Sequence, residues 1–443
     1  SPDNKTILYG VSWYNLAENK GNRDLYTMPV AGGPAVKVTA FKGSELNGIF
    51  RPDGKKIAFL SAESGSMQLW EANPDGSAAV KISNVDGDIT GFSYSPDMKY
   101  LLYTQRVKID KTPNDIYPDL PKANARIEDD LMYRHWDSWS DYSYSHIFIA
   151  SYSDGKIGNG KDIMENQRFE SPMAPWGGME QIGWSPKSDK FAYTCKKLTG
   201  KEYSLSTNSE IYVFDLKTGT ETNVSKGIAG YDQDPVFSPD GRKLVWRSMA
   251  RDGFEADKDR IMIYDFATAK YADYSENFDQ NANNFAWTAD SKTFYFLSPI
   301  HGTVQIYTLN TENKQIKPVS SGQCDFLSVA LSGKDIITSK QSMTSPTEIF
   351  KIDATGKETQ LSFTNKEILK DVKSAKVEER WMTTTDNKKM LVWVVYPPDF
   401  NPNKKYPALL FCEGGPQSMV SQFFSYRWNM QIMAANDYIV IAP

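Results

Sequence analysis

Apolar residues along this chain come in runs of four to seven, too short for helices, and polar, turn-forming clusters separate them. Ile57-Ala58-Phe59-Leu60, Ile211-Tyr212-Val213-Phe214 and Ile261-Met262-Ile263-Tyr264 are typical. Such runs, rich in β-branched and aromatic residues and bounded by Gly, Pro, Asp and Ser, predict short strands. Helix-compatible spacing appears late, over 423–435.

The turn clusters repeat one phrase, Ser-Pro-Asp-Gly-Lys, with decay. Its copies begin at Ser1, Arg51, Ser95, Ser185, Ser238, Thr288 and Leu331. They lie roughly 43–53 residues apart except for one interval of about twice that length, a period that signals a repeat architecture. Each phrase is a tight turn: Pro presets φ, Asp bonds the backbone ahead of it, and Gly accepts positive φ. A second strand follows each turn in matching phase, at Leu25–Met28, Gln68–Glu71, Ile147–Ala150, Ile211–Phe214, Ile261–Tyr264, Gln305–Thr308 and Glu348–Lys351. Units of this size and content predict the blades of an all-β, seven-bladed β-propeller over 1–365. The first residues fall inside a repeat, so the strand expected before Ser1 and any signal peptide would lie outside this sequence.

The long interval holds an insertion over about 108–144 with a charged and aromatic centre, Glu128, Asp129, Asp130, Tyr133, Arg134, His135, Trp136 and Trp139. After about residue 365 the repeat stops. Residues 366–443 read as a linker and then strand, strand, strand, helix and strand: 377–383, 390–396, 408–412, 423–435 and 438–443. The run Ala408-Leu409-Leu410-Phe411-Cys412 predicts a strand buried on both faces, and the turn Glu413-Gly414-Gly415-Pro416 ends it. A parallel sheet needs further crossover units, so this segment predicts the truncated start of an α/β domain.

Composition narrows the function. The 50 basic and 55 acidic residues, net charge -5, are interspersed and form no basic stripe, so nucleic acid is not an expected partner. No apolar run reaches the ~20 residues of a membrane span. The three cysteines read as small buried or half-buried residues, and the three histidines are scattered with no metal-ligand spacing. No motif implies a metal or an organic cofactor.

The Tyr406-Pro407-Ala408-Leu409-Leu410 segment with Glu413-Gly414-Gly415-Pro416-Gln417-Ser418, placed after a propeller, resembles the opening of the catalytic domain in the prolyl oligopeptidase family of serine peptidases. The phrase Asp130-Leu131-Met132-Tyr133-Arg134-His135-Trp136-Asp137 resembles the bacterial dipeptidyl-peptidase 5 branch of that family. The resemblance implies a propeller-gated, periplasmic or secreted exopeptidase that takes peptide substrates and releases dipeptides from their N-termini.

Acyl transfer in this fold needs a Ser on a Gly-x-Ser-x-Gly elbow, then an acid and a His. The sequence contains no such elbow, and every His precedes the hydrolase segment. The triad, and the rest of the catalytic domain, are expected beyond residue 443.

This chain would supply part of the oxyanion hole through the backbone at Gly414 and Gly415. Glu413 stands where the family has His or Tyr, and an ionised carboxylate cannot donate a hydrogen bond. Glu128, Asp129 and Asp130 are candidates for the substrate's α-ammonium group. Arg134 would bind a substrate carbonyl or pair with one of those acids, and Tyr133, Trp136 and Trp139 would wall the cavity or pack the insertion. An acylaminoacyl-peptidase or oligopeptidase of the same family, and a non-catalytic interaction scaffold, are the alternative functions. Oligomeric state is left open, a homodimer among the options.

Overall fold

The computed structural model describes residues 1–415 and 418–443. It divides into two compact units, Ser1–Tyr274 and Ser275–Pro443. The chain is mostly β, with only short helices, and among the described residues no helix is long and apolar enough to cross a membrane.

Within the first unit five antiparallel sheets of three or more strands follow one another in chain order. The second is representative: Leu46–Phe50, Ile57–Ser61, Gln68–Ala72 and Val80–Lys81 pair as neighbours. Its Ile57–Ser61 strand is buried at every position. Alternate side chains point to opposite faces. Accordingly, Ile57 and Phe59 cluster with Leu25 and Val38 of the first sheet, while Ala58 and Leu60 cluster with Phe92, Leu101 and Tyr103 of the third.

The third and fourth sheets meet through Leu102 and Ile147 against Phe191 and Tyr193. The fourth and fifth meet through Ala192, Ile211 and Val213 against Leu244, Trp246 and Met262. Each inner sheet of this unit is thus covered by a neighbour on both faces, the packing of propeller blades.

The turns behave as their chemistry predicts. The fourth residue of the first six copies has positive φ, including the non-glycines Asn4, Met98, Ser188 and Ser291 at 58–60°; in the copy beginning at Leu331 it is the third residue, Gly333, at 63°. Asp53, Asp97, Asp240 and Asp290 each accept the N–H two residues on, at 2.9–3.1 Å. In the copy beginning at Ser185, which lacks this Asp, the Ser185 hydroxyl donates to Asp189 at 2.7 Å instead.

A second repeated lock had no counterpart in the sequence reading. Thr39, Ser83, Ser225, Ser320 and Ser362 accept the N–H of Leu25, Leu69, Ile211, Ile306 and Ile349 at 2.8–2.9 Å. These hydroxyls tie the chain leaving each sheet's last strand back to the strand before it.

In the second unit, the sheet from Asn283–Trp287 to Gln315–Pro318 joins the sheet from Ala330–Ser332 to Glu358–Gln360 by one parallel pairing, Val304 with Asp325. A further mixed sheet has the order Val377–Thr383, Lys389–Val395, Ile439–Ala442, Ala408–Leu410, its last pair parallel.

Three expectations need correction here. The 408–412 run is not buried on both faces: only Ala408–Leu410 forms a strand, it lies at the sheet edge, and Leu410 is 60% exposed. Cys412 is exposed rather than buried; Cys195 is buried, Cys324 is half-buried, and all three are free thiols. The helix covers only Met430–Ala435, because Asn429 caps it by accepting the Gln431 N–H at 2.9 Å.

Two predictions follow from this packing. Gly241, at φ 70°, would bring an added Cβ within 3.2 Å of Pro186 in the preceding turn. Gly241→Ala should therefore cost about 1–2 kcal/mol in urea unfolding. Glu45 is fully buried, and burial pushes its carboxyl from 4.5 up to about 7, with the Thr39 hydroxyl pulling the other way. The folded chain then holds a proton that the unfolded chain loses, so this group's contribution to stability falls as pH rises from 4.5 to about 7. Glu45→Gln should raise stability at pH 8 by on the order of 1–3 kcal/mol and leave it nearly unchanged at pH 4.

Candidate functional site

The insertion rises from a rigid base in the first unit. Tyr100–Lys108 and Ser143–Ser153 pair without a break from Tyr100 opposite Ser151 to Lys108 opposite Ser143, so the chain leaves and re-enters at one end of two adjacent strands. Two charged knots close that base. Arg106 holds Asp141 through two nitrogens, at 2.7 and 3.0 Å, and reaches Glu170 at 3.4 Å. Asp110 accepts hydrogen bonds from the Tyr144 hydroxyl at 2.6 Å and from Arg168 at 3.0 Å.

The Glu170 side chain is only 12% exposed; burial pushes its carboxyl up and the Arg106 charge pulls it back. Breaking that pair is costly, although backbone hydrogen bonds from Ser145 and Ala174 also favour the ionised form. Sequence reading missed Arg106 and Glu170 because they lie outside the insertion and meet only in the fold.

Toward its tip the insertion is a stack of cations and rings. Arg134–His135 pairs with Ser138–Trp139 in a short hairpin. Tyr133 stacks on Trp139 with centroids 6.0 Å apart, and Trp139 also carries the guanidinium of Arg126 at 4.9 Å and that of Arg134 at 5.6 Å. Tyr133 and Trp139 therefore brace the hairpin. Trp136 does something else: it is 71% exposed and faces the equally exposed Trp176, 5.1 Å away, from the segment after the sheet.

The three acids are not equivalent. Glu128 pairs with Arg126 at 2.8 Å. Asp130 accepts the Leu131 N–H at 2.8 Å and lies against Gly200, where a Cβ would fall 1.8 Å from its Oδ2. Asp129 is exposed and has no ion-pair partner among the described residues. Arg134 forms no ion pair with any of them; its Nε donates to the Trp136 carbonyl at 2.6 Å, which orients the guanidinium.

In the second unit, the other candidate element follows the Ala408–Leu410 edge strand. The Phe411 N–H donates to Ile441 at 2.8 Å, then Cys412 and Glu413 are exposed, and Gly415 turns at φ 76°. Among the described residues nothing lies within 4 Å of an added Cβ at Gly414 or Gly415. Ser418 donates its N–H to the Gly415 carbonyl at 3.0 Å, closing the turn. Pro416 and Gln417 of the predicted motif lie outside the described residues.

Known proteins share this organisation. Residues 179–371 match the TolB beta propeller domain family. Dipeptidyl-peptidase 5 of Porphyromonas gingivalis is 44% identical over 444 residues, covering 100% of this chain. The chain is similar to that relative from end to end. It spans 65% of the length of that relative.

Among solved structures, the fold is matched by the acylaminoacyl peptidase of Pyrococcus horikoshii, with a TM-score of 0.76 at 19% identity over 99% of this chain and 63% of that one. The β-propeller domain of the trilobed protease from Pyrococcus furiosus aligns over 83% of this chain and 95% of its own length, with a TM-score of 0.54 at 16% identity.

Arg106→Ala should leave Glu170 and Asp141 without their cation and loosen the base of the insertion. The expected result is limited proteolysis confined to 108–144, at least ~10-fold faster than in the wild type, and a stability loss of about 1–3 kcal/mol. Nicking spread evenly over the chain would show that the knot does not hold this segment.

Proposed function

We propose that this chain forms a seven-bladed propeller and the first strands of the α/β-hydrolase domain of a serine exopeptidase that removes dipeptides from the free N-termini of oligopeptides. The observation that carries this reading is the 44% identity, over the whole of this chain, to a dipeptidyl-peptidase 5. The nucleophile, its His and its acid are assigned to polypeptide outside this sequence, since no Gly-x-Ser-x-Gly elbow occurs in it. Export to the periplasm or the exterior belongs to the same proposal.

In this reading the insertion measures the substrate from its N-terminus. Asp129, which forms no ion pair among the described residues, takes the α-ammonium group, and a charge-assisted bond of that kind fixes both position and direction. Glu128 and Asp130 keep structural partners and shape the field around it. Arg134, oriented by the Trp136 carbonyl, donates to the backbone carbonyl of the substrate. Trp136 and Trp176 wall the side-chain space.

Attack by the serine places negative charge on the carbonyl oxygen of the second residue. A backbone N–H at the Gly414-Gly415 turn stabilises that charge; losing one such donor typically costs about 100- to 1,000-fold in rate.

The test uses the full-length gene product and dipeptidyl amides with a free or an acetylated N-terminus. Free amines should be preferred by at least ~100-fold, and Asp129→Asn should raise KM about tenfold on free substrates alone, the loss of one charge-assisted bond. Equal rates on acetylated substrates would favour an acylaminoacyl-peptidase. Absence of hydrolysis would favour a scaffold.

A further inference from the structure

The mixed sheet's turn is tied to the propeller-type sheets of the second unit at one buried carboxylate. Asp325 is 1% exposed. Its Oδ1 accepts the Val304 N–H at 3.0 Å, at the single parallel pairing that joins the two sheets. The same oxygen accepts the Gln422 N–H at 3.2 Å, and Oδ2 accepts the Ser421 hydroxyl at 2.7 Å. One side chain therefore anchors a sheet joint and the segment that leaves the Gly414-Gly415 turn.

The surroundings keep that segment from sliding. The Val420 carbonyl accepts the buried Trp393 Nε1–H at 3.0 Å, and the side chain of Gln422, 2% exposed, accepts the Met343 N–H at 3.3 Å. Gly302, in the hairpin tip before Val304, has no room for a side chain: a Cβ would stand 2.5 Å from Leu391 and 2.7 Å from Trp393. On the other side the turn is pinned by the Phe411 N–H to Ile441. Between these anchors Glu413 to Gly415 are exposed or unobstructed, so Asp325 and Ser421 fix where the turn ends.

We infer that Asp325, through Ser421 and Gln422, is a positioning residue for the oxyanion-stabilising turn, so that a residue of the propeller-type sheets sets the rate of the chemical step. This rests on the functional reading above, which gives that turn its role. A donor aimed at a transition-state oxygen loses its effect with sub-ångström displacement, whereas substrate binding at the insertion needs nothing from it.

The experiment compares Asp325→Ala, Asp325→Asn and Ser421→Ala in the full-length gene product with Ser83→Ala, which removes a buried hydroxyl from a blade of the first unit. Two rates are read: dipeptidyl-amide hydrolysis, and covalent labelling of the serine by a fluorophosphonate. Asp325→Ala and Ser421→Ala should lower kcat and labelling at least tenfold with KM within twofold. Asp325→Asn, which keeps an acceptor for both N–H groups, should recover most of kcat. Ser83→Ala should lower only the melting temperature.

An active wild type whose Asp325 and Ser421 variants keep kcat, or change it only in step with melting temperature, as Ser83→Ala does, overturns the inference and leaves the functional reading standing. A wild type that neither hydrolyses nor labels overturns that reading, and this inference with it.

Discussion

A sheet with two apolar faces cannot stand alone in water. In the first unit that constraint organises everything else: strands such as Ile57–Ser61 are buried at every position, so each sheet must be covered by the one before and the one after. Burying a large apolar side chain stabilises by roughly 1.5–3 kcal/mol, and each sheet contributes several on both faces. The successive face-to-face arrangement is thus a consequence of the residues at the strand centres. The polar features at the strand ends, the turns and hydroxyl locks, set register and spacing within it.

This division of labour explains where function can sit. Strand centres are committed to packing, so chemistry is left to the connections. The insertion over 108–144 leaves from two well-paired strands and has its base tied by Arg106 and Asp110. Its rings and charges can therefore be held in place without a core of their own. The Gly414-Gly415 turn follows the same logic in the second unit: an unobstructed backbone between fixed ends. In the proposed peptidase, selectivity would come from the rigidity of these connections.

How much of this could be read from the sequence depended on the range of each interaction. The turns were legible because their chemistry is local: Pro, Asp and a residue at positive φ act within five positions, and even Met98 and Ser291 keep the conformation. The propeller class followed from their repetition. The Ser and Thr locks repeat just as regularly, 14 residues beyond Leu25, Leu69, Ile211 and Ile306, yet hydroxyl residues are common enough that the phase passed unnoticed. Long-range partners were out of reach. Nothing near Asp325 points to Ser421, 96 residues later, and nothing in the insertion announces Glu170 or Trp176. The run at 408–412 misled because hydrophobicity reports that a strand is apolar without reporting whether it lies at a sheet edge, where Leu410 stays exposed.

The central claim is that this scaffold makes a peptidase count from a free N-terminus. The most direct measurement is mass spectrometry of a defined decapeptide digested by the full-length gene product, sampled over time. The account predicts successive loss of two residues at a time from the N-terminal end, with no internal fragments, and no reaction once that end is acetylated. Internal cuts, loss of single residues, or equal digestion of the acetylated peptide would contradict it.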